Sequence, residues 1–81
     1  EMPLATIEIL SPKQGTYDLK EKIKAYFFLG VKSCWLVIPE VEIVTVYSSI
    51  DQFNNFNFRG GDTEVIDEVL KLRVPLANIF T

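Results

Sequence analysis

Residues 4–38 read LATIEILSPKQGTYDLKEKIKAYFFLGVKSCWLVI, and the fold is decided there. Leu4 to Leu10 is a β-branched, mostly apolar run too short for a helix, which predicts a strand buried on both faces. Glu8 interrupts it. Ser11-Pro12 ends the strand, because proline has no N–H to give to a sheet ladder, and Lys13-Gln14-Gly15 continues as a loop. Asp18 stands three residues before Glu21, a variant of the capping-box signature, so a helix is predicted from Asp18 to Leu29 with Gly30 as its left-handed cap. Ser33 to Ile38 is a second apolar strand. Strand, helix and strand joined by short connections make a right-handed βαβ unit, in which the two strands lie parallel in one sheet.

Projecting the helix at about 100° per residue singles out one lysine. With Leu19 at zero, Tyr26 falls near about −20°, Ile23 near about +40°, Phe27 near about +80° and Leu29 near about −80°. Lys22 falls at about −60°, inside that apolar arc between Tyr26 and Leu29. Lys20 and Lys24 lie at its edge or beyond. Lys22 is therefore the helix lysine aimed most nearly at whatever the helix packs on.

Outward from this unit the chain reads as scaffold. Pro39-Glu40 turns it, and Val41 to Tyr47 (VEIVTVY) alternates as a half-exposed strand hairpinned to the previous one. Gln52 to Phe58 (QFNNFNF) has strand-like aromatic content with three asparagines, which suits an outer strand. Arg59-Gly60-Gly61-Asp62 is a turn, Thr63 to Ile66 a short last strand, and Leu76 to Phe80 a terminal helical turn after Pro75. The expected class is α/β, a mixed sheet with a βαβ crossover followed by antiparallel strands.

At 81 residues the chain is at most one domain with a marginal core. It opens Glu1-Met2-Pro3 and enters a strand almost at once, so the expectation is a partial domain, residues 1–81, forming the C-terminal part of a longer protein. No apolar run approaches the roughly 20 residues that cross a bilayer, and no basic leader precedes an apolar stretch. A soluble, cytoplasmic protein without membrane contact is expected. Cys34 is the only cysteine, which excludes an internal disulfide or a cysteine metal cluster, and its neighbours suit a buried hydrophobe. Histidine is absent, which leaves carboxylate, lysine and hydroxyl chemistry. The net charge of −3 is uneven. Residues 1–36 carry five lysines against four acids, and residues 37–81 three basic residues against seven acids. The modest basic excess on the half holding Glu8 and Lys22 is compatible with a phosphate-bearing substrate.

A carboxylate inside a strand and a lysine on the inner side of the covering helix each carry a large desolvation cost alone, and pairing offsets much of it. Two readings follow. One is a structural ion pair at a rim, with the Lys22 stem lying along Tyr26 and its head in water. The other is a hydrolytic centre in a dry crevice, where Glu8 holds Mg²⁺ and Lys22 stabilises developing charge on a phosphate. One carboxylate is too few for the second reading. Asp18 is the nearest further acid, though its place suits helix capping. Ser11 suits a strand-ending turn better than a phosphate site, and Tyr26 and Trp35 suit the core better than base stacking.

The order Glu8-Ile9-Leu10-Ser11-Pro12, then Asp18-Leu19 with Lys22 and Tyr26, then Gly30-Val31 leading to Trp35-Leu36-Val37 and Pro39 resembles the Uma-two family of restriction endonucleases. That family belongs to the PD-(D/E)XK nuclease superfamily, and the resemblance covers about residues 3 to 47. It implies a restriction-endonuclease-like fold, DNA as substrate and a Mg²⁺ or Mn²⁺ cofactor. It implies that Glu8 is the acid of the E-x-K half-motif and a metal ligand. Leu10 stands where the lysine of that half-motif would stand, and the resemblance implies that the helix supplies the catalytic lysine instead, as Lys22. The partner Asp of such sites lies on an earlier strand, so this chain would hold about half of a catalytic centre. The rival expectation is a non-catalytic interaction or assembly module of the same fold, a homodimer formed through the exposed sheet edge.

Overall fold

A computed structural model describes residues 4–10 and 16–80, with the side chains of residues 16 and 17 excepted. The apolar β-branched run near the start forms β1 (Ala5–Ile9), followed by helix α1 (Thr16–Phe28) and β2 (Ser33–Ile38). β1 and β2 pair in parallel, with Ala5 opposite Ser33 and Glu8 opposite Leu36. The expected βαβ crossover is therefore present. β3 (Ile43–Ser49) and β4 (Gln52–Asn57) continue the sheet antiparallel, giving the order β1-β2-β3-β4. β5 (Glu64–Asp67) and β6 (Leu72–Pro75) form a separate antiparallel hairpin, and a 3-10 turn, Leu76–Asn78, follows it.

β2 is the axis of the molecule because both its faces are buried. Cys34 and Leu36 pack against Leu19 and Ile23 of α1. Trp35 and Val37 pack the other way, with Val44 and Val46 of β3, Val65 of β5 and Leu76. A period of two along a strand sends alternate side chains to opposite layers, so an unbroken apolar run serves two cores at once. On the second face the β5-β6 hairpin does the work that α1 does on the first.

The ends of α1 follow from local chemistry. Gly30 holds a φ of 101°, a left-handed conformation that costs glycine little. Its N–H donates to the Phe27 carbonyl at 3.1 Å and the Val31 N–H to the Tyr26 carbonyl at 3.0 Å, the pair of bonds that closes a Schellman motif. At the other end the helix already runs from Thr16, so Asp18 lies inside the first turn rather than at the cap. Its carboxylate there faces the positive end of the helix dipole. The capping position, Ser11 and the loop 11–15 lie outside the described residues.

Three expectations are corrected. β1 is not buried on both faces, since Ile7 and Ile9 are each 63% exposed. Their apolar character suits a covered surface, but β1 is the sheet edge and the described residues place nothing over that face. β3 begins at Ile43 rather than Val41. The chain between Pro39 and Glu42 closes a turn instead, with the Glu42 N–H on the Pro39 carbonyl at 3.3 Å and Glu42 at φ 55°. The strand near residues 63–66 is not the last, because Lys71 at φ 58° turns the chain back so that β6 pairs with it. No described helix is long and apolar enough to cross a membrane.

Candidate active site

Alternation along β1 sends Glu8 to the same sheet face as Leu36, the face that α1 covers. On α1, Lys22 and Tyr26 are four residues apart and so lie one above the other on one stripe. Both reach Glu8. The Tyr26 hydroxyl donates to Glu8 Oε1 at 2.6 Å, and Lys22 Nζ lies 3.4 Å from the same oxygen. Glu8 Oε2 accepts no hydrogen bond from any other described residue.

Exposure differs sharply across this cluster. The Glu8 side chain is 18% exposed and that of Lys22 is 52% exposed. The pair thus sits at a rim rather than in a dry crevice, because the stripe carrying Lys22 runs along the flank of α1 toward the open edge of the sheet. An ion pair this accessible contributes only about 0–1 kcal/mol to stability. The Tyr26 ring is better held, half-buried and packed against the Leu19, Ile23, Cys34 and Leu36 cluster.

The phenol of Tyr26 carries the electrostatic signature of the site. Its hydrogen bond to Glu8, then burial and the Glu8 charge, push its pKa from 10.0 up to about 12. Between those values the folded protein keeps a proton that the unfolded chain has lost, so stability falls as pH rises through that window. Melting temperature measured from about pH 9 to pH 12 is expected to drop, and Tyr26→Phe to flatten part of that drop. Nearby, burial pushes the Cys34 thiol up, as suits a packing residue and not a nucleophile.

A hard divalent cation wants oxygen ligands. Glu8 fits that chemistry with one carboxylate oxygen that is unengaged among the described residues. Among the described residues no group of three or more acids and cysteines is placed to enclose an ion, and Asp18 is exposed on the first turn of α1. Among the described residues Glu8 is the acid that stands at this rim.

The profile of a family described as "Putative restriction endonuclease", Uma2, matches residues 1–77. The chain belongs to this family. Nothing among curated proteins matches. A solved structure described as "a putative nuclease belonging to DUF820", from Anabaena variabilis, is similar to this chain with a TM-score of 0.76 at 24% identity. The match covers 98% of this chain and 44% of that one, so the Uma2 chain described here spans less than half the length of the nuclease it resembles. At that identity the likeness shows the fold, a nuclease's mixed α/β sheet.

One functional-looking acid escapes a reading of sequence. Asp67 is 1% exposed and lies at the end of β5, where it accepts from Ser33 Oγ at 2.5 Å and Trp35 Nε1 at 2.8 Å through Oδ2. Its Oδ1 takes the Leu70 N–H at 3.0 Å. Burial alone would raise its carboxyl, but the bonds from Ser33, Trp35 and the backbone of Leu70 and Val69 outweigh it and hold the carboxyl below the ordinary 3.8. The only trace in sequence is its spacing of two from buried Val65, which puts both on one side of β5. Asp67 is a clasp between β2 and the hairpin. In the turn after β4, Arg59 is occupied by Glu42 at 3.0 Å, as suits a turn residue more than a phosphate clasp.

Proposed function

We propose that this chain supplies one acid and one lysine to the centre of a Mg²⁺-dependent endonuclease that hydrolyses DNA phosphodiester bonds. The observation that carries the reading is the meeting of Glu8 and Lys22 from separate elements at one water-accessible rim, at the positions of the family motif. Glu8 would hold Mg²⁺ or Mn²⁺ through Oε2, and a second ligand would come from outside the described residues. When bound, the cation supplies Lewis-acid polarisation of a phosphate oxygen and a lower pKa for an attacking water. Lys22 is long, half in solvent and 3.4 Å from the carboxylate, so its ammonium can turn toward a phosphate in the same rim. There it offsets negative charge as it develops on the phosphorus oxygens, which is where a fixed cation contributes most to rate.

The test is Mg²⁺- or Mn²⁺-dependent cleavage of plasmid DNA by the complete protein, with and without Glu8→Gln. The variant keeps an oxygen that can accept from Tyr26 and removes the charge that holds a cation. Loss of cleavage together with loss of Mn²⁺ binding is expected, and cleavage at the wild-type rate would sink the assignment of Glu8.

A second reading, an assembly module, is favoured by a different observation. Ala5, Ile7, Ile9, Trp35, Val37 and Phe80 line an open apolar groove of about 540 Å³ on the face away from α1. Together with the edge of β1, which is unpaired among the described residues, it is a surface on which another polypeptide, such as a second copy, could dock. Sedimentation of the Glu8→Gln protein separates the two readings, since the assembly module keeps its oligomeric state without the acid.

A further inference from the structure

We infer that Tyr26 is a positioning residue of this site, whose hydroxyl holds Glu8 by Oε1 so that Oε2 is the oxygen presented to a divalent cation. The inference rests on the nuclease reading and deepens it. Three features of the geometry point the same way. Tyr26 and Lys22 address the same oxygen, at 2.6 Å and 3.4 Å, and the other oxygen has no partner among the described residues. The two donors also differ in how firmly they are held. The Tyr26 ring is fixed by its packing on the Leu19, Ile23 and Cys34 side of the core, whereas Lys22 is 52% exposed at the end of a flexible stem. A glutamate has three rotatable bonds, and the donor that orders its carboxylate is the one that is itself immobile.

The consequence is a division of labour along one stripe of α1. If Lys22 alone held the carboxylate, turning its ammonium toward a phosphate would release Glu8 at the moment the cation most needs it. With the phenol on Oε1, Lys22 is free to leave without disturbing the acid. Groups that orient a metal ligand typically change metal affinity by about 10- to 100-fold when removed.

The experiment is Mn²⁺ binding to the complete protein, followed through the paramagnetic resonance signal of free Mn²⁺, for wild type, Tyr26→Phe and Tyr26→His. Phenylalanine keeps the packed ring, and water can reach the partly exposed Glu8, so the fold is expected to survive. Tyr26→Phe is expected to weaken Mn²⁺ binding by about 10- to 100-fold, and cleavage to recover as Mn²⁺ is raised. Tyr26→His, which keeps an N–H donor, should lie between the two and serves if the phenylalanine variant does not fold. Lys22→Met should bind Mn²⁺ nearly as wild type yet stay inactive at every metal concentration. Unchanged Mn²⁺ affinity in both Tyr26 variants overturns the positioning role and leaves the nuclease reading standing. Absence of any Mn²⁺ binding by the wild-type protein overturns both.

Discussion

The Lys22→Met variant of the complete protein is expected to lose metal-dependent DNA cleavage by about 100- to 1000-fold, the range seen when one charge-stabilising donor is removed from an active centre. That corresponds to roughly 2.7–4 kcal/mol of transition-state stabilisation. The same substitution should hardly change stability. Lys22 is half exposed and its pairing with Glu8 is at a rim, so about 0–1 kcal/mol is at stake. Methionine keeps the length and apolar stem that lie along the helix flank. The contrast between a large rate loss and a small shift in melting temperature is the informative result. Cleavage at the wild-type rate would show that Lys22 is only a rim ion pair.

Asp67→Ala is expected to be strongly destabilising. It leaves the Trp35 indole N–H and the fully buried Ser33 hydroxyl without their acceptor and opens a small void between β2 and the hairpin. Removing one partner from a buried, charge-assisted network costs about 3–5 kcal/mol. For a small domain of about 5–15 kcal/mol total stability that is a large share. Urea titration followed by Trp35 fluorescence reads it directly. Asp67→Asn should cost less, since an amide oxygen still accepts one bond. It should also change the acid limb. Because the folded carboxyl is held below 3.8, its contribution is present above that pH and is lost as pH falls through the folded value. The asparagine variant should therefore show a shallower loss of stability in acid. A wild-type slope in that variant would mean that another carboxyl governs acid unfolding.

These two residues mark the limits of what could be read from the chain alone. Lys22 was legible because helical periodicity is local. Twelve residues with apolar side chains at regular spacing determine which lysine shares their arc, whatever the rest of the protein does. Tyr26 lay in that arc too, but periodicity gives only a direction. That its hydroxyl would end on a carboxylate, rather than in the core or against a base, depends on how far α1 slides along β1. Asp67 was not legible because its partners are 32 and 34 positions away. β6 has no signature in the sequence for a similar reason, since its four residues become a strand only by pairing with β5. Leu4 to Leu10 was legible as a strand, but its exposure was not, because apolar sequence records that a surface suits burial and not which polypeptide buries it.

What the amino-acid order determined by itself was the strand-helix-strand frame, the glycine that stops the helix, and the side of the helix on which Lys22 emerges. Each of these follows from near neighbours, from β-branching, and from a period of about 2 or about 3.6 residues. What only the tertiary structure decided was the register between β1 and α1 that brings phenol and ammonium onto one carboxylate oxygen, and the clasp of Asp67 on β2. Those depend on distances between segments remote in sequence, which are settled when the two cores on either side of β2 pack.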